Sequence, residues 1–359
     1  MYKRRIEKLR QLMSEKKLDA VFINSYENFR YFSGFTGTNA FLLITYDAAI
    51  FITDQRYTTQ AEEQTDSYEV ITYGTDQFGV FKEQFNRFNI KTVGVESLSM
   101  SLQLFQQLQS HLPSYTWEYL EKELLYIRKI KDEHEIEILR EAIAISDKAF
   151  ADLIPVIRPG MTEKELKIEF ESIMMRLGSE KPAFATGIAS DVRAALPHAT
   201  PTDNEIKKND LLLIDYGVTY KGYVSDMTRT LWVGEPSKEM QEYYDLVMIS
   251  LEESIAAIKP GISGHDLDAV SRKVFLDAGV EEYSLRGLGH GIGLQIHENP
   301  RVAMYDYEVL EENMILTIEP GLYFPGKGGI RIEDMVLVTK DGCEVLNNTN
   351  RHIQLSILT

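Results

Sequence analysis

The chain has 359 residues, more than one hydrophobic core comfortably organises, so two domains are expected. Its 55 acidic and 38 basic side chains give a formal charge of −17, which argues against nucleic acid or an anionic membrane as the main partner. The one cysteine, Cys343, excludes an intrachain disulfide and fits a reducing compartment. It lies in the turn-like Lys340-Asp341-Gly342-Cys343, with no histidine close in sequence, and reads as an incidental thiol.

The first residues are too charged for a signal peptide and read as an amphipathic helix with Ile6, Leu9 and Met13 on one face. No apolar run of about 18 residues exists, so no membrane span is expected and a cytoplasmic location is the default. Ala20–Ile23, Phe41–Ile44, Ile50–Ile52 and Thr92–Val95 have the composition of strands, and segments near 58–65, 78–88 and 100–111 that of helices. Residues 1–122 are therefore expected to form a smaller α/β domain and 123–359 a second one. A charged stretch, Arg128–Glu135, leads into a long helix with Ile136, Leu139, Ile143 and Phe150 at helical spacing.

The second domain carries a weak internal repeat. Ile157-Arg158-Pro159-Gly160-Met161-Thr162 is echoed by Ile258-Lys259-Pro260-Gly261-Ile262-Ser263, each closing one helix and opening another. Thr162 with Glu165, and Ser263 with Asp266, supply the capping pattern. His198-Ala199-Thr200-Pro201 is echoed by His297-Glu298-Asn299-Pro300, and Leu211–Val218 by Ile315–Leu322. A second acidic strand follows each, with Asp226 and then Glu333. Four echoes in one order, offset by roughly 100 residues, argue for duplicated halves. A pseudo-twofold domain would bring two β-hairpins face to face and place two carboxylates from each at the centre.

Carboxylates at the inner ends of apolar strands are costly unless paired or metal-bound. Four of them together, Asp215, Asp226, Glu319 and Glu333, repel one another, and a cation is the simplest way to keep them ionised. His290, in the glycine-rich Gly287–Gly293, adds one imidazole. That donor set suits two divalent ions, Mn²⁺ first, with Co²⁺, Zn²⁺ or Fe²⁺ as alternatives. Such a pair makes water nucleophilic near neutral pH, and no Gly-x-Ser-x-Gly elbow or Cys/His nucleophile pattern offers another route.

Leu196–His198, Leu213–Gly217, Ser225–Thr230, Gly289–Glu298, Thr317–Tyr323 and Gly328–Asp334 resemble the pita-bread metallopeptidases of the methionine aminopeptidase and Xaa-Pro peptidase group. Ser33–Gly37 and Thr53–Tyr57, with Gln60 and Ala61, are similar to the creatinase-like N-terminal domain of its Xaa-Pro branch. The resemblance implies an α+β fold in which a pseudo-twofold pita-bread domain follows a creatinase-like α/β domain. It implies that Asp215 binds one metal, that His290 and Glu319 serve the other, and that Asp226 and Glu333 bridge. Glu319 would also handle the proton of the attacking water. His198 and His297 would bind the scissile carbonyl or the tetrahedral intermediate, and Arg331 would orient carboxylates. The implied substrates are small peptides with proline second, cut before the proline, and the implied assembly is a homodimer.

Two departures bear on the substrate. Arg286 stands where the family commonly has histidine, four residues before His290. In Ser190-Asp191-Val192-Arg193-Ala194, Asp191 replaces a glycine and Ala194 a serine. Arg286 and Asp191 could pair as a salt bridge, or Arg286 could meet a peptide carboxylate in fork geometry, which would favour a dipeptidase. Asp54-Gln55-Arg56-Tyr57 tilts instead toward an aminopeptidase. The competing readings are a creatinase-like C–N hydrolase and a binding protein on the same scaffold. Retention of all five metal-ligand residues disfavours both, and the extra N-terminal domain disfavours a methionine aminopeptidase.

Overall fold

The first helix spans Tyr2–Lys16 and buries Ile6, Leu9 and Met13, the stripe its spacing dictates. The computed structural model describes residues 1–120 and 122–355 and divides into two compact units, Met1–Arg128 and Lys129–Thr359.

The first unit is built on a six-stranded mixed sheet. Its strands run in the order Glu69–Tyr73, Ala49–Asp54, Phe41–Thr45, Ala20–Ile23, Thr92–Glu96 and Thr116–Leu120. The four apolar runs read as strands take the four central places, because buried strands need continuous hydrophobic sequence. The two edge strands, Glu69–Tyr73 and Thr116–Leu120, carry exposed Glu69 and Tyr119 and lack that signal. Helices occupy Thr58–Gln64, Gln77–Arg87 and Leu102–His111, close to where they were expected. An unanticipated helix, Tyr26–Ser33, buries Phe29, Tyr31 and Phe32, so that aromatic stretch is packing.

The second unit opens with the helix Glu133–Leu153, started by a capping box between Asp132 and Glu135. Its buried stripe runs through Ile138, Leu139, Ala142, Ile143 and Phe150. Ile136, expected on that face, is only half-buried. The helices Glu163–Arg176 and Gly264–Asp277 begin at Thr162 and Ser263, each accepting a backbone N–H three residues on.

The duplication is present in the strand order. In the first half, Gly187–Ser190 pairs with Leu211–Tyr216, which pairs with Met227–Trp232. In the second, Gly289–Gly291 pairs with Ile315–Ile318, which pairs with Asp334–Val338. Each hairpin ends in a smaller ladder of its own, Val218–Tyr220 with Tyr223–Val224, and Gly321–Phe324 with Gly328–Arg331. The hairpins meet where Glu333 N donates to Thr228 O (3.1 Å) and Thr230 Oγ1 to Arg331 O (2.8 Å). Asp226 and Glu333 immediately precede their strands, so Glu333 is not within one as its sequence suggested. No helix among the described residues is long and apolar enough to cross a membrane.

Candidate metal centre and its cavity

Strand alternation dictates which side chains enter the space between the hairpins. Thr228 lies two residues after Asp226, and Thr317 two before Glu319, so each threonine shares a face with its carboxylate. Thr228 Oγ1 donates to Glu333 Oε2 (2.7 Å), and Thr317 Oγ1 donates to Glu319 Oε1 (3.2 Å) while accepting from His290 N (3.1 Å).

The His290 ring is fixed at one nitrogen. Its Nδ1 lies 3.0 Å from Gly291 O, which assigns the proton to Nδ1 and leaves the Nε2 lone pair facing the carboxylates. Nε2 is 3.6 Å from Asp226 Oδ2 and 3.4 Å from Glu319 Oε1. Potential donor atoms of Asp226, His290 and Glu333 all fall within 4.8 Å of one another, and all three residues are buried. Asp215 sits to the side, its Oδ2 held at 2.5 Å by Arg331 Nη2. Arg331 is almost fully enclosed and also donates to Thr228 Oγ1 (3.0 Å), Tyr323 OH (2.7 Å) and Pro197 O (3.0 Å).

Burial and mutual repulsion dominate the electrostatics of the cluster. Burial pushes the Asp226 and Glu333 carboxyls far above the usual carboxylate range, reinforced by each one's acidic neighbours. Burial also raises Asp215, against the pull of Arg331, and lifts Glu319 to about 7. His290 moves the other way, to about 3, because burial disfavours the imidazolium. A neutral imidazole beside carboxyls that cannot all ionise is a ligand set waiting for positive charge. Glu333 Oε1 is moreover buried with no hydrogen-bond partner among the described residues, although such atoms are normally satisfied. These residues fit a divalent metal.

A cavity of about 530 Å³ opens over this cluster. All nine residues singled out from sequence reach it: His198, Asp215, Asp226, Arg286, His290, His297, Glu319, Arg331 and Glu333. His198 and His297 are exposed, and the His297 ring meets the His290 ring edge-on at 4.5 Å. Partial desolvation of its ring against the cavity lowers the pKa of His297, with Arg301 adding to the effect. Arg286 is exposed at the wall and, among the described residues, forms no ion pair with Asp191. Asp191 has φ of 50°, a left-handed conformation in which glycine is the unstrained residue.

Sequence reasoning missed Arg301. It lies directly opposite His290 in the ladder between Gly289–Gly291 and Glu298–Val302, and it lines the cavity. A register shift between His290 and Gly291 sets that pairing, and nothing in the spacing of the residues announces it.

Comparison with known proteins matches the model of metallopeptidase family M24 over residues 137–340. The chain belongs to metallopeptidase family M24. The Creatinase/Prolidase N-terminal domain matches residues 5–130, so this M24 chain has the two-part organisation the sequence suggested. A Xaa-Pro dipeptidase of Pyrococcus furiosus is 37% identical, covering 98% of this chain and 99% of that protein. The solved X-Pro aminopeptidase of Thermotoga maritima is 40% identical with a TM-score of 0.90, covering 98% and 99%. The Xaa-Pro dipeptidase of Bacillus anthracis, 36% identical over 99% and 100%, superimposes with a TM-score of 0.96. Prolidase-like structures thus share both the fold and its domain order.

Proposed function

We propose that this M24 chain is a dinuclear metal-dependent peptidase that cleaves the bond between an N-terminal residue and a following proline. The observation that carries the reading is the convergence of Asp226, His290 and Glu333, with Glu319 and Asp215 beside them, beneath a cavity flanked by two histidines. Asp215, Asp226, His290, Glu319 and Glu333 would hold two divalent ions. When bound, such a pair polarises a carbonyl and makes water acidic enough to attack near neutral pH.

The chain's own residues do the rest. Glu319, at the edge of the cluster beneath the cavity, takes the proton of the attacking water and passes it toward the leaving proline nitrogen. His198 and His297 donate hydrogen bonds to the oxygen on which negative charge develops. Arg331 holds Asp215 and the Pro197 carbonyl, so one guanidinium fixes a metal ligand and the segment bearing His198. Arg286 and Arg301, both at the cavity wall, can receive a carboxylate, which favours dipeptides over longer peptides.

Mn²⁺ is the metal we assign, because four carboxylates and one imidazole form a mostly hard donor set. Likeness to the family supports a homodimer and the single cysteine a reducing compartment such as the cytoplasm, and sedimentation of the purified chain tests the dimer. The decisive experiment is metal analysis with turnover of Xaa-Pro and Xaa-Pro-Xaa peptides after Mn²⁺ reconstitution. A chain that binds no divalent metal, or gains no activity from it, sinks the proposal.

A further inference from the structure

The segment 190–202 carries His198 at its middle and forms the Pro197–Pro201 wall of the cavity. Its placement depends on a carboxylate that does not touch the cavity. Glu163, the first residue of the helix Glu163–Arg176, has a side chain with 0% exposure. Its Oε1 accepts from Ser190 N (2.9 Å) and Ser190 Oγ (3.3 Å), at one end of the segment. Its Oε2 accepts from Thr202 N (2.9 Å) and Thr202 Oγ1 (2.9 Å), at the other end. Arg193 Nε lies 3.1 Å from both oxygens, and its Nη2 reaches Thr200 O at 2.7 Å. On the opposite side, Arg331 holds Pro197 O, and a Cβ on Gly329 would stand 2.1 Å from Ala194 O.

Helix capping does not account for this arrangement. Thr162 already caps the helix through its side chain, and an acidic residue in the first turn serves the helix dipole equally well from the surface. Burying a carboxylate is costly unless its acceptor sites are filled. Here they are filled by the two ends of one segment. The other half of the domain has no carboxylate at the equivalent helix position; there Asp306, within the loop itself, accepts from Arg301 N (3.2 Å) and Glu308 N (2.9 Å). At the corresponding position Gly264 packs so closely that a Cβ would lie 2.2 Å from Arg301 O, and Gly264 N donates to Glu308 O at 3.0 Å.

We propose that Glu163 is a positioning residue, a two-oxygen staple that closes the 190–202 segment and so sets the place of His198. Its effect on turnover rests on the peptidase reading above, whereas its effect on the segment does not.

The test compares Glu163→Gln, Glu163→Asp and His198→Ala in the Mn²⁺-loaded, full-length chain. The Gln variant keeps the volume but turns one acceptor into an NH₂ that faces N–H and O–H donors. Amide exchange at Ser190 and Thr202 should speed up about tenfold. On an Xaa-Pro substrate, kcat should fall on the order of 10²-fold, as expected when a reacting group is displaced by about an ångström. KM should stay within about threefold, since the lost interaction belongs to the transition state. Glu163→Asp, which keeps both acceptors, should recover most of the loss. Added to His198→Ala, Glu163→Gln should cost less than about twofold more, because the two act through one contact. Lys164→Ala, which removes only the exposed pair with Asp203, should leave exchange and activity at wild-type levels.

A full additional loss on the His198→Ala background, or unchanged exchange at Ser190 and Thr202, overturns the staple. If Glu163→Gln does not fold, Arg193→Met removes the neighbouring strut and is held to the same criteria. The exchange readout needs no turnover, so a wild-type chain inactive on Xaa-Pro peptides overturns the proposed activity and leaves the staple to be judged by exchange.

Discussion

Arg229 ties the two hairpins together, and replacing it should cost more stability than any surface ion pair in the chain. Its side chain is 0% exposed and donates to Asp334 Oδ1 (2.7 Å), Glu333 O (2.5 Å), Thr228 O (3.0 Å), Thr349 O (3.1 Å) and Asn350 O (3.3 Å). Arg229→Met preserves much of the volume but takes a donor from each of these acceptors, of which Thr228 O keeps Glu333 N. Breaking a buried ion pair from one side costs about 3–5 kcal/mol. Asp334 keeps Arg351 at 2.7 Å, which offsets part of that loss, while unsatisfied carbonyls cost about 1–3 kcal/mol each. A net loss of about 4 kcal/mol follows, or roughly 8–16 °C in Tm for a domain of this size. Calorimetry of the metal-free variant measures it, with Lys238→Ala as a control that breaks the exposed Lys238–Glu242 pair and should not shift Tm measurably. A drop of less than about 2 °C for Arg229→Met would refute the view that buried charge, rather than apolar packing, locks the hairpins together.

The remaining predictions concern the metal and the substrate. Because burial lifts Glu319 to about 7 and the other three carboxyls also stand high, their protonation favours the folded metal-free chain, and that contribution is lost as pH rises through those values. Between about pH 6.5 and 8.5 His290 is neutral in the folded state; in the unfolded one it is about half protonated at the lower end and neutral only at the upper, so there it opposes that slope and the opposition fades as pH rises. The Tm gain on adding Mn²⁺ should therefore grow across that window, and a gain independent of pH counts against the carboxylate assignment. Thr228→Val removes a hydroxyl that donates to Glu333 and accepts from Arg331; metal affinity measured by titration should fall about 10–100-fold, and an unchanged affinity would show that this hydroxyl orients nothing. Arg286→Leu should reduce hydrolysis of Xaa-Pro more than of Xaa-Pro-Xaa, and an equal loss on both removes Arg286 from carboxylate recognition.

The part of this site that was legible from sequence is the part that violates a local rule. Asp215 and Glu319 end or follow apolar strands, Asp226 and Glu333 come just before the returning ones, and His290 stands among glycines; each conflicts with its immediate surroundings, and the repeat puts the conflicts in register. The four central strands of the first unit were readable for the opposite reason, since full burial imposes unbroken hydrophobic runs, whereas its edge strands, half in water, carry no such imprint.

What stayed hidden satisfies its neighbourhood locally and does its work at a distance. Glu163 reads as a good first-turn residue, yet its carboxylate closes on Ser190 and Thr202, 27 and 39 positions away. Arg229 looks like an alternating strand residue, but its anion is Asp334, 105 positions on. Arg301 owes its place opposite His290 to a register shift that composition does not encode. Glu163 and Arg229 share a physical logic: each fills buried hydrogen-bonding capacity contributed by another stretch of chain. The proposed metal ligands are therefore supported by charges whose partners only folding reveals, and for that reason candidate ligands could be named before the structure while the means of aiming them could not.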